Sequence, residues 1–164
     1  AYRQRRAILG EDAISALKTL YGHRPDFQQW VDAILNVADE GFAARPESLR
    51  AVDAERLAEP DWFKSADIIG YVTYVDRFAE NLTGVQKNIG YFKELGVKYL
   101  HLLPFLKKHE GLSDGGFAVA DYESVDPALG TMEQLETLAT QLRKEGISLC
   151  GDFVCNHTAD DHPW

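Results

Sequence analysis

The chain has 164 residues, of which 45% are hydrophobic, and this is enough for one ordinary domain with its own core. Its 26 acidic and 17 basic residues give a net charge of −9, which argues against nucleic acid, an anionic membrane surface or a polyanionic ligand as partner. A neutral ligand such as a sugar is compatible with that charge. No apolar run approaches the roughly 18–20 residues that span a bilayer, and we expect a cytoplasmic protein without a membrane partner.

The first part of the chain, residues 1–66, is predicted to be a helical segment. Apolar residues recur at helical spacing along 27–38, and Asp26 is a candidate N-cap for that helix. Pro46 opens a second, short helix, and Pro60 follows its end. Such a segment usually packs beside a larger domain, and it suggests no chemistry by itself.

From residue 67 the pattern changes to alternating strands and helices. The strand segments are rich in β-branched and aromatic residues with few polar breaks, which is typical of strands buried on both faces. Thr131 and Gln134 form a capping-box pattern at the start of the last helix. The predicted elements are strands at 68–75, 97–103 and 147–154 and helices at 82–95 and 131–146.

This order of elements predicts an α/β fold. Strands joined by helices through right-handed crossovers form a parallel sheet, and a closed (β/α)8 TIM barrel needs eight strands and roughly 250 residues. Residues 67–164 are therefore expected to hold the first three strand–helix units of an incomplete barrel, and the chain to be truncated. Its exposed third strand would pair with the missing remainder of the barrel or with a second copy of the chain.

The two cysteines, Cys150 and Cys155, lie in or beside the third predicted strand. A strand rises about 3.3 Å per residue, so their Cα atoms would lie beyond disulfide reach. We predict two reduced thiols in the core. A metal or redox pair is the alternative, but the CxxC spacing that would support it is missing.

Polar and aromatic side chains follow each predicted strand at its C-terminal end, where parallel α/β folds bind their ligands. Carboxylates and imidazoles hydrogen-bond sugar hydroxyls, and aromatic rings pack on the apolar faces of pyranose rings, so the set predicts a carbohydrate pocket. The candidates are Asp76 after the first strand, Asp114 and Phe117 after the second, and Asp152, Asn156 and His157 after the third.

Each candidate also has a purely structural interpretation. Asp76 can pair with its neighbour Arg77 at a strand end. The triplet 114–116 is a good turn by itself, because its two glycines tolerate positive φ. His157 can be a satisfied, partly buried histidine, and we expect His101, inside the second strand, to be hydrogen-bonded in the core.

Near the C-terminus, Asp160, Asp161 and His162 raise the alternative of a metal site shared with His157. Adjacent acids in a loop are more often solvated than metal-bound. We therefore predict no metal and no cofactor.

The segment 152–157, Asp-Phe-Val-Cys-Asn-His, resembles the first conserved region of the α-amylase superfamily, an Asp followed by Asn-His at the end of barrel strand three. Its context is similar to the amylosucrase and sucrose hydrolase group. The similarity covers nearly the whole chain, most securely from residue 45 onward. The segments that carry it are 74–78, 99–104, 113–119 and 126–131.

The resemblance implies a retaining double displacement on an α-glucoside, in which a carboxylate attacks the anomeric carbon and a second carboxylic acid protonates the leaving oxygen. In amylosucrase the donor is sucrose, fructose leaves, and glucose is added to a growing α-glucan. The implied partners are therefore sucrose and α-glucan oligosaccharides. Members of this group generally lack the structural calcium of many α-amylases, which agrees with the prediction of no metal.

Site roles follow from the same resemblance. Asp114 resembles the acid that closes the glucosyl pocket, and His157 the histidine that hydrogen-bonds the glucosyl unit. Phe117 stands where amylosucrases commonly carry a tyrosine that stacks on glucose, so the ring is kept and the hydroxyl is lost. Asp152 and Asn156 resemble residues that orient the barrel mouth.

Asp76 is assigned a structural role at the site. The nucleophilic Asp, the acid/base Glu and the Asp that stabilises the transition state belong to later barrel strands in the family. No catalytic residue is therefore assigned, and we expect no turnover by this chain alone.

Three alternatives remain open. Phe117 in place of tyrosine leaves room for a sucrose hydrolase or another α-glucosidase of the superfamily. A non-catalytic carbohydrate-binding or regulatory protein, which folds by pairing its exposed strand with another chain, belongs to a different class. A generic parallel α/β protein would need four motif matches in the right order by coincidence.

Overall fold

The structure is a computed structural model that describes residues 2–111 and 113–163. The chain divides into two compact units, Ala1–Trp62 and Phe63–Trp164. The change in sequence pattern at residue 67 falls inside the second unit. Among the helices described, none combines the length and the apolar character needed to cross a membrane.

The first unit consists of three helices. The sequence predicts a helical segment here and specifies two of its helices, the one over 27–38 and the short one that follows Pro46. The three helices are α1 (Tyr2–Tyr21), α2 (Phe27–Ala44) and α3 (Glu47–Ala58). These helices have a small apolar core, which aromatic and ionic contacts supplement. The Tyr2 ring stacks on Phe42 with centroids 4.1 Å apart. Arg45 binds Asp53 through two hydrogen bonds of 2.5 and 2.8 Å. Among the described residues of these helices, Val31 of α2 is the one that is fully buried.

Asp26 occupies the N-cap position of α2, but the predicted side-chain cap is wrong. The carboxylate makes no capping hydrogen bond. It binds the Arg24 guanidinium instead, at 3.0 and 2.8 Å. The Arg24 guanidinium offers two charge-assisted hydrogen bonds in parallel, whereas a helix N–H would offer one, which explains the choice of partner.

The second unit contains a sheet of three parallel strands, which confirms the predicted α/β fold with the first strand–helix units of a (β/α)8 barrel. The strands are β1 (Ile69–Thr73), β2 (Val97–Leu102) and β5 (Ser148–Gly151), in the spatial order β1-β2-β5. In the register of the sheet, Tyr71 pairs with Leu100 and Leu100 with Leu149. The third strand ends at Gly151, three residues before its predicted end, so Asp152 and the residues after it lie in a loop.

The connection between β1 and β2 is a series of short helices instead of the single helix predicted over 82–95. Asn81 caps one of them by accepting a hydrogen bond from Gly84 N–H, and the Asn88 amide donates to Gly84 O, both at 2.9 Å. Asparagine side chains that bind nearby backbone groups compete with a continuous helix. The helices are α4 (Val75–Ala79), α5 (Leu82–Lys87) and α6 (Ile89–Glu94).

The last helix, α7 (Met132–Lys144), begins with the predicted capping box. Thr131 Oγ1 accepts a hydrogen bond from Gln134 N–H at 3.3 Å, and Gln134 Oε1 accepts one from Thr131 N–H at 3.0 Å. Two N–H groups that the helix cannot satisfy itself are therefore paired at its start.

Between β2 and α7 lies an antiparallel hairpin in a segment that the sequence pattern predicts as a long loop. It consists of β3 (Leu106–Lys108) and β4 (Val119–Val125). β3 has three residues, which are too few to show the alternation of apolar and polar residues that marks a strand. The pairing of β3 with β4 contains two register shifts. The hairpin was missed for these reasons, and its connecting loop carries Asp114.

The core of the second unit forms where α5, α6 and α7 pack on the sheet, and each fully buried side chain in it contributes roughly 1.5–3 kcal/mol. The prediction of strands buried on both faces is wrong for β1, because Ile69 and Val72 are 48% and 60% exposed. β1 lies at the edge of the described sheet, where fewer neighbours cover its side chains. The largest fully buried core side chains are Phe92, Leu82, Leu100, Leu102, Leu138 and Leu142.

Candidate functional site

Asp114 and His157 meet in the structure although 43 positions separate them in the sequence. Nε2 of His157 lies 3.1 Å from Oδ2 of Asp114, and the other carboxylate oxygen of Asp114 accepts a hydrogen bond from Ala118 N–H at 2.6 Å. The side chains of Asp114 and His157 remain 49% and 44% exposed. The pair is therefore fixed in position and still open to a ligand.

The turn after Asp114 requires its two glycines. Gly115 and Gly116 have φ values of 79° and 93°, a region that side chains with a Cβ rarely adopt. Ser113 Oγ closes the turn by accepting a hydrogen bond from Gly116 N–H at 2.9 Å. The turn interpretation of this triplet is thus confirmed, and the same turn presents the Asp114 carboxylate to His157.

Two aromatic residues border this turn. A Cβ on Gly115 would lie 2.9 Å from the Tyr74 hydroxyl oxygen and 3.8 Å from the Phe117 ring. The half-buried Phe117 is therefore beside Asp114, as expected from the sequence. Tyr74 is a site residue that the sequence pattern did not reveal, and its position immediately after β1 is the signal that could have identified it.

Asn156 orients the imidazole of His157. Its amide Nδ2 lies 3.3 Å from His157 Nδ1. If Nδ2 donates, Nδ1 accepts, and the proton of the neutral ring is then on Nε2, where it is donated to Asp114. Asn156 thus acts on the site through the orientation of His157.

The loop after β5 is attached to the hairpin by Tyr122, another residue that sequence reasoning missed. The Tyr122 hydroxyl donates to Val154 O and lies 3.4 Å from His157 O. Ala159 N–H donates to Val119 O at 2.9 Å and adds a backbone connection. A tyrosine in a strand gives no sequence signal that separates this role from core packing.

Asp152 and His101 form a second acid–imidazole pair. Nε2 of His101 lies 3.1 Å from Oδ1 of Asp152, and both side chains are largely buried, so His101 is hydrogen-bonded inside the unit as expected. The other carboxylate oxygen of Asp152 is buried and has no hydrogen-bond partner in the described part of the chain. This pair shares no residue with the pair of Asp114 and His157.

Asp76 lies apart from these pairs in its contacts. It is in the first turn of α4, and its nearest charged partner is the exposed Arg77, with Nε at 4.0 Å from Oδ2. Within residues 2–111 and 113–163, it makes no hydrogen bond or ion pair with Asp114 or His157. The structure therefore places Asp76 and Arg77 as neighbours at a strand end.

The acids near the C-terminus do not join His157. Asp161 and Asp160 lie against His109, with carboxylate oxygens 3.1 and 3.5 Å from its Nδ1. His162 packs against the Tyr122 ring, with centroids 5.6 Å apart. The metal set considered from the sequence is therefore not assembled, because His157 binds Asp114 instead.

Cys150 and Cys155 are both free thiols, as predicted. Cys150 is partly buried in β5. Cys155 is exposed, and its predicted place in the core is wrong because β5 ends before it.

The Asp114 carboxylate is held in its charged form. Partial removal from water raises the pKa of Asp114, but the hydrogen bonds from Ala118 N–H and from His157 together outweigh this, and the pKa lies below its ordinary value. A charged carboxylate at neutral pH is a strong acceptor for hydroxyl groups. Asp114 therefore presents a charged hydrogen-bond acceptor at neutral pH.

The sequence profile described as alpha amylase, catalytic domain, matches residues 57–164, which is more than half of the chain. The chain belongs to the α-amylase family. Its three parallel strands, with polar residues at their C-terminal ends, are the corresponding part of the catalytic barrel of this family.

Curated relatives of this α-amylase family chain carry several names. The trehalose synthase of Pimelobacter sp. (strain R48) is 35% identical over 113 residues, which are 65% of this chain and 19% of the relative. The oligo-1,6-glucosidase of Parageobacillus thermoglucosidasius is 34% identical over 110 residues, 63% of this chain and 19% of the relative. The mouse amino acid transporter heavy chain SLC3A1 is 34% identical over 111 residues, 63% of this chain and 16% of the relative.

Solved structures of similar proteins also match this chain over part of their length. The isomaltulose synthase SmuA from Protaminobacter rubrum superposes with a TM-score of 0.58 at 26% identity over 63% of this chain and 19% of that chain. A mutant of MutB in complex with the substrate sucrose also has a TM-score of 0.58, at 29% identity and the same coverage. This α-amylase family chain thus spans about one fifth of the length of these relatives. They show the family and its fold, and they do not single out amylosucrase.

Proposed function

We propose that the site around Asp114 and His157 binds the glucosyl unit of an α-glucoside, in a retaining glucosyltransferase or hydrolase that acts on sucrose as amylosucrase does. The 3.1 Å contact between Asp114 Oδ2 and His157 Nε2 carries this proposal. It brings a carboxylate and an imidazole to one point beside the rings of Tyr74 and Phe117. Convergent polar groups on an aromatic surface are the recognition elements that a pyranose requires.

The proposed reaction is a double displacement. A carboxylate forms a bond to the anomeric carbon while the glycosidic bond breaks and a carboxylic acid protonates the departing oxygen. Water or a sugar hydroxyl then attacks the same carbon, transfers its proton to that second carboxyl group and frees the nucleophile. In the family these groups belong to later barrel strands, so the residues of this chain bind and orient. The 164-residue chain is therefore proposed to bind sugar without turning it over.

Sucrose as donor and α-glucan as acceptor are the finer part of the proposal. The relative with the substrate sucrose in its structure supports the donor. The trehalose synthase and the oligo-1,6-glucosidase favour the alternative of a sucrose hydrolase or another α-glucosidase. Phe117 is compatible with both, because its ring can stack on glucose but it has no hydroxyl to donate.

The two free cysteines support a reducing, cytoplasmic location.

A second candidate function is non-catalytic. One relative is named an amino acid transporter heavy chain, so the family is not restricted to proteins named as enzymes. Under this alternative the exposed edge of the sheet at β1 or β5 would pair with another polypeptide or with a second copy of the chain. Association that depends on concentration, with intact sugar binding, would favour it.

Sugar titration of the 164-residue chain tests the site. With glucose or sucrose, we expect backbone NMR shifts at residues 114–117 and 156–157. We expect Asp114→Asn to weaken binding about tenfold, because a charged hydrogen-bond acceptor is replaced by a neutral one. Asp12→Asn is the matched control, since Asp12 is an exposed acid of α1 that has no assigned role at the site. If both variants bind sugar like the parent chain, the proposed site is wrong.

A further inference from the structure

A second cluster of ligand-type side chains lies between the β3–β4 hairpin and the loop after β5. His109 follows β3, and Asp160 and Asp161 belong to the loop. Nδ1 of His109 and one carboxylate oxygen from each acid all lie within 4.8 Å of one another. None of these residues takes part in the pair of Asp114 and His157.

In this cluster, Nδ1 of His109 lies close to two carboxylates but has no partner in hydrogen-bond geometry among the described residues. This nitrogen is inaccessible to solvent. Carboxylate oxygens of Asp161 and Asp160 lie at 3.1 and 3.5 Å, which is ion-pair distance without hydrogen-bond geometry. An imidazole nitrogen that is shielded from water and faces two carboxylates is an arrangement that a cation can complete.

The backbone holds the three ligands in place before any ion arrives. His109 N–H donates to Ala118 O at 3.0 Å, and Ala159 N–H donates to Val119 O at 2.9 Å. Val119 and Ala159 are buried, so this connection is shielded from water. A site with fixed ligands loses less conformational entropy when it binds an ion.

Electrostatics around the cluster favour positive charge. Asp160 and Asp161 place two carboxylates against the His109 imidazole, and Glu110 adds a further negative charge nearby. These negative charges attract a metal ion.

We propose that His109, Asp160 and Asp161 bind a divalent transition-metal ion, with Zn²⁺ the best match, and that the ion joins the hairpin to the loop after β5. One imidazole nitrogen and two carboxylates are ligands that Zn²⁺ takes, and water would fill the fourth position. Ca²⁺ needs six to eight oxygen ligands, more than two carboxylates supply. The proposal is independent of the proposed sugar site, because it uses different residues.

Calorimetric titration of the 164-residue chain with Zn²⁺ tests this site. We expect one bound ion, and we expect His109→Ala to weaken its binding by about 10–100-fold or more, the effect that even indirect partners of a metal have. Asp160→Asn is a second variant: this side chain is 90% exposed, so its replacement removes a ligand without disturbing packing. Titration with Ca²⁺ should give much weaker binding than with Zn²⁺.

His23→Ala is the matched control, because His23 is an exposed histidine in the helical unit. It should bind Zn²⁺ like the parent chain, and Zn²⁺ should raise the melting temperature of both. If His109→Ala and Asp160→Asn bind Zn²⁺ as tightly as the parent chain, or if the parent chain binds none, the cluster is only an ion pair between His109 and its acids, and the proposal is wrong.

Discussion

At the scale of single residues, the contact of Asp114 with His157 connects the β3–β4 loop with the loop after β5. The sequence motif identifies both residues, and the rule that parallel strands end at one edge predicts that they lie close together. It does not predict which atoms meet. Tyr74 and Tyr122 were missed because an aromatic residue in or beside a strand looks the same whether it packs in the core or binds a loop.

The pKa of Asp114 is a direct test at this scale. We expect its carboxyl group to titrate below the ordinary value of about 3.9, and we expect His157→Ala to raise that pKa, because one of the hydrogen bonds that lower it is lost. NMR of the carboxyl carbon measures both values. His23→Ala should leave the pKa of Asp114 unchanged.

The sign of the pH effect on stability follows from the same pKa. The carboxyl of Asp114 has a lower pKa in the folded than in the unfolded chain, so its stabilising effect is fully present above about pH 4. It is lost as the pH falls through the folded pKa. An equal loss of stability at low pH in the parent chain and in Asp114→Asn would contradict this assignment.

Gly115 offers a test of the turn. Gly115→Ala should lower the free energy of unfolding by about 1–2 kcal/mol, because φ is 79° and a Cβ would lie 2.9 Å from the Tyr74 hydroxyl. Gly90→Ala is the control: Gly90 lies in α6 with open space at its Cβ, and alanine should stabilise the helix by about 0.5–1 kcal/mol. Urea denaturation measures both. Equal effects of the two substitutions would show that the turn does not need glycine.

At the scale of elements, the sequence predicts regular elements and misses short ones. The three parallel strands, the second and third N-terminal helices and the capping box of α7 follow from periodicity and end signals. The break at Asn88 depends on one side-chain hydrogen bond, and the hairpin depends on pairing between distant segments. Neither the helix break nor the hairpin produces a periodic pattern in the sequence.

The contact between the hairpin and the loop after β5 makes Tyr122→Phe informative. We expect it to cost about 0.5–1.5 kcal/mol of stability and to speed amide exchange over residues 154–159, because the hydroxyl donates to Val154 O. Hydrogen exchange measures the local effect. Tyr21→Phe is the control, because no hydrogen bond is described for the Tyr21 hydroxyl. Unchanged exchange over 154–159 in Tyr122→Phe would mean that other contacts hold the loop.

At the scale of the whole molecule, the −9 charge argues against polyanionic ligands, and membership of the α-amylase family is compatible with this charge. The alternation of strands and helices predicted the fold. It could not predict the exposure of Ile69 and Val72, because an apolar strand has the same composition at an edge as in the centre of a sheet.

Saturation-transfer NMR of sucrose with the 164-residue chain tests the central claim most directly. If Asp114 and His157 hold a glucosyl unit, saturation should reach the glucosyl protons more strongly than the fructosyl protons, and Asp114→Asn should abolish the difference. Equal saturation of both rings, or transfer that is unchanged in Asp114→Asn, would contradict a glucosyl site at this pair.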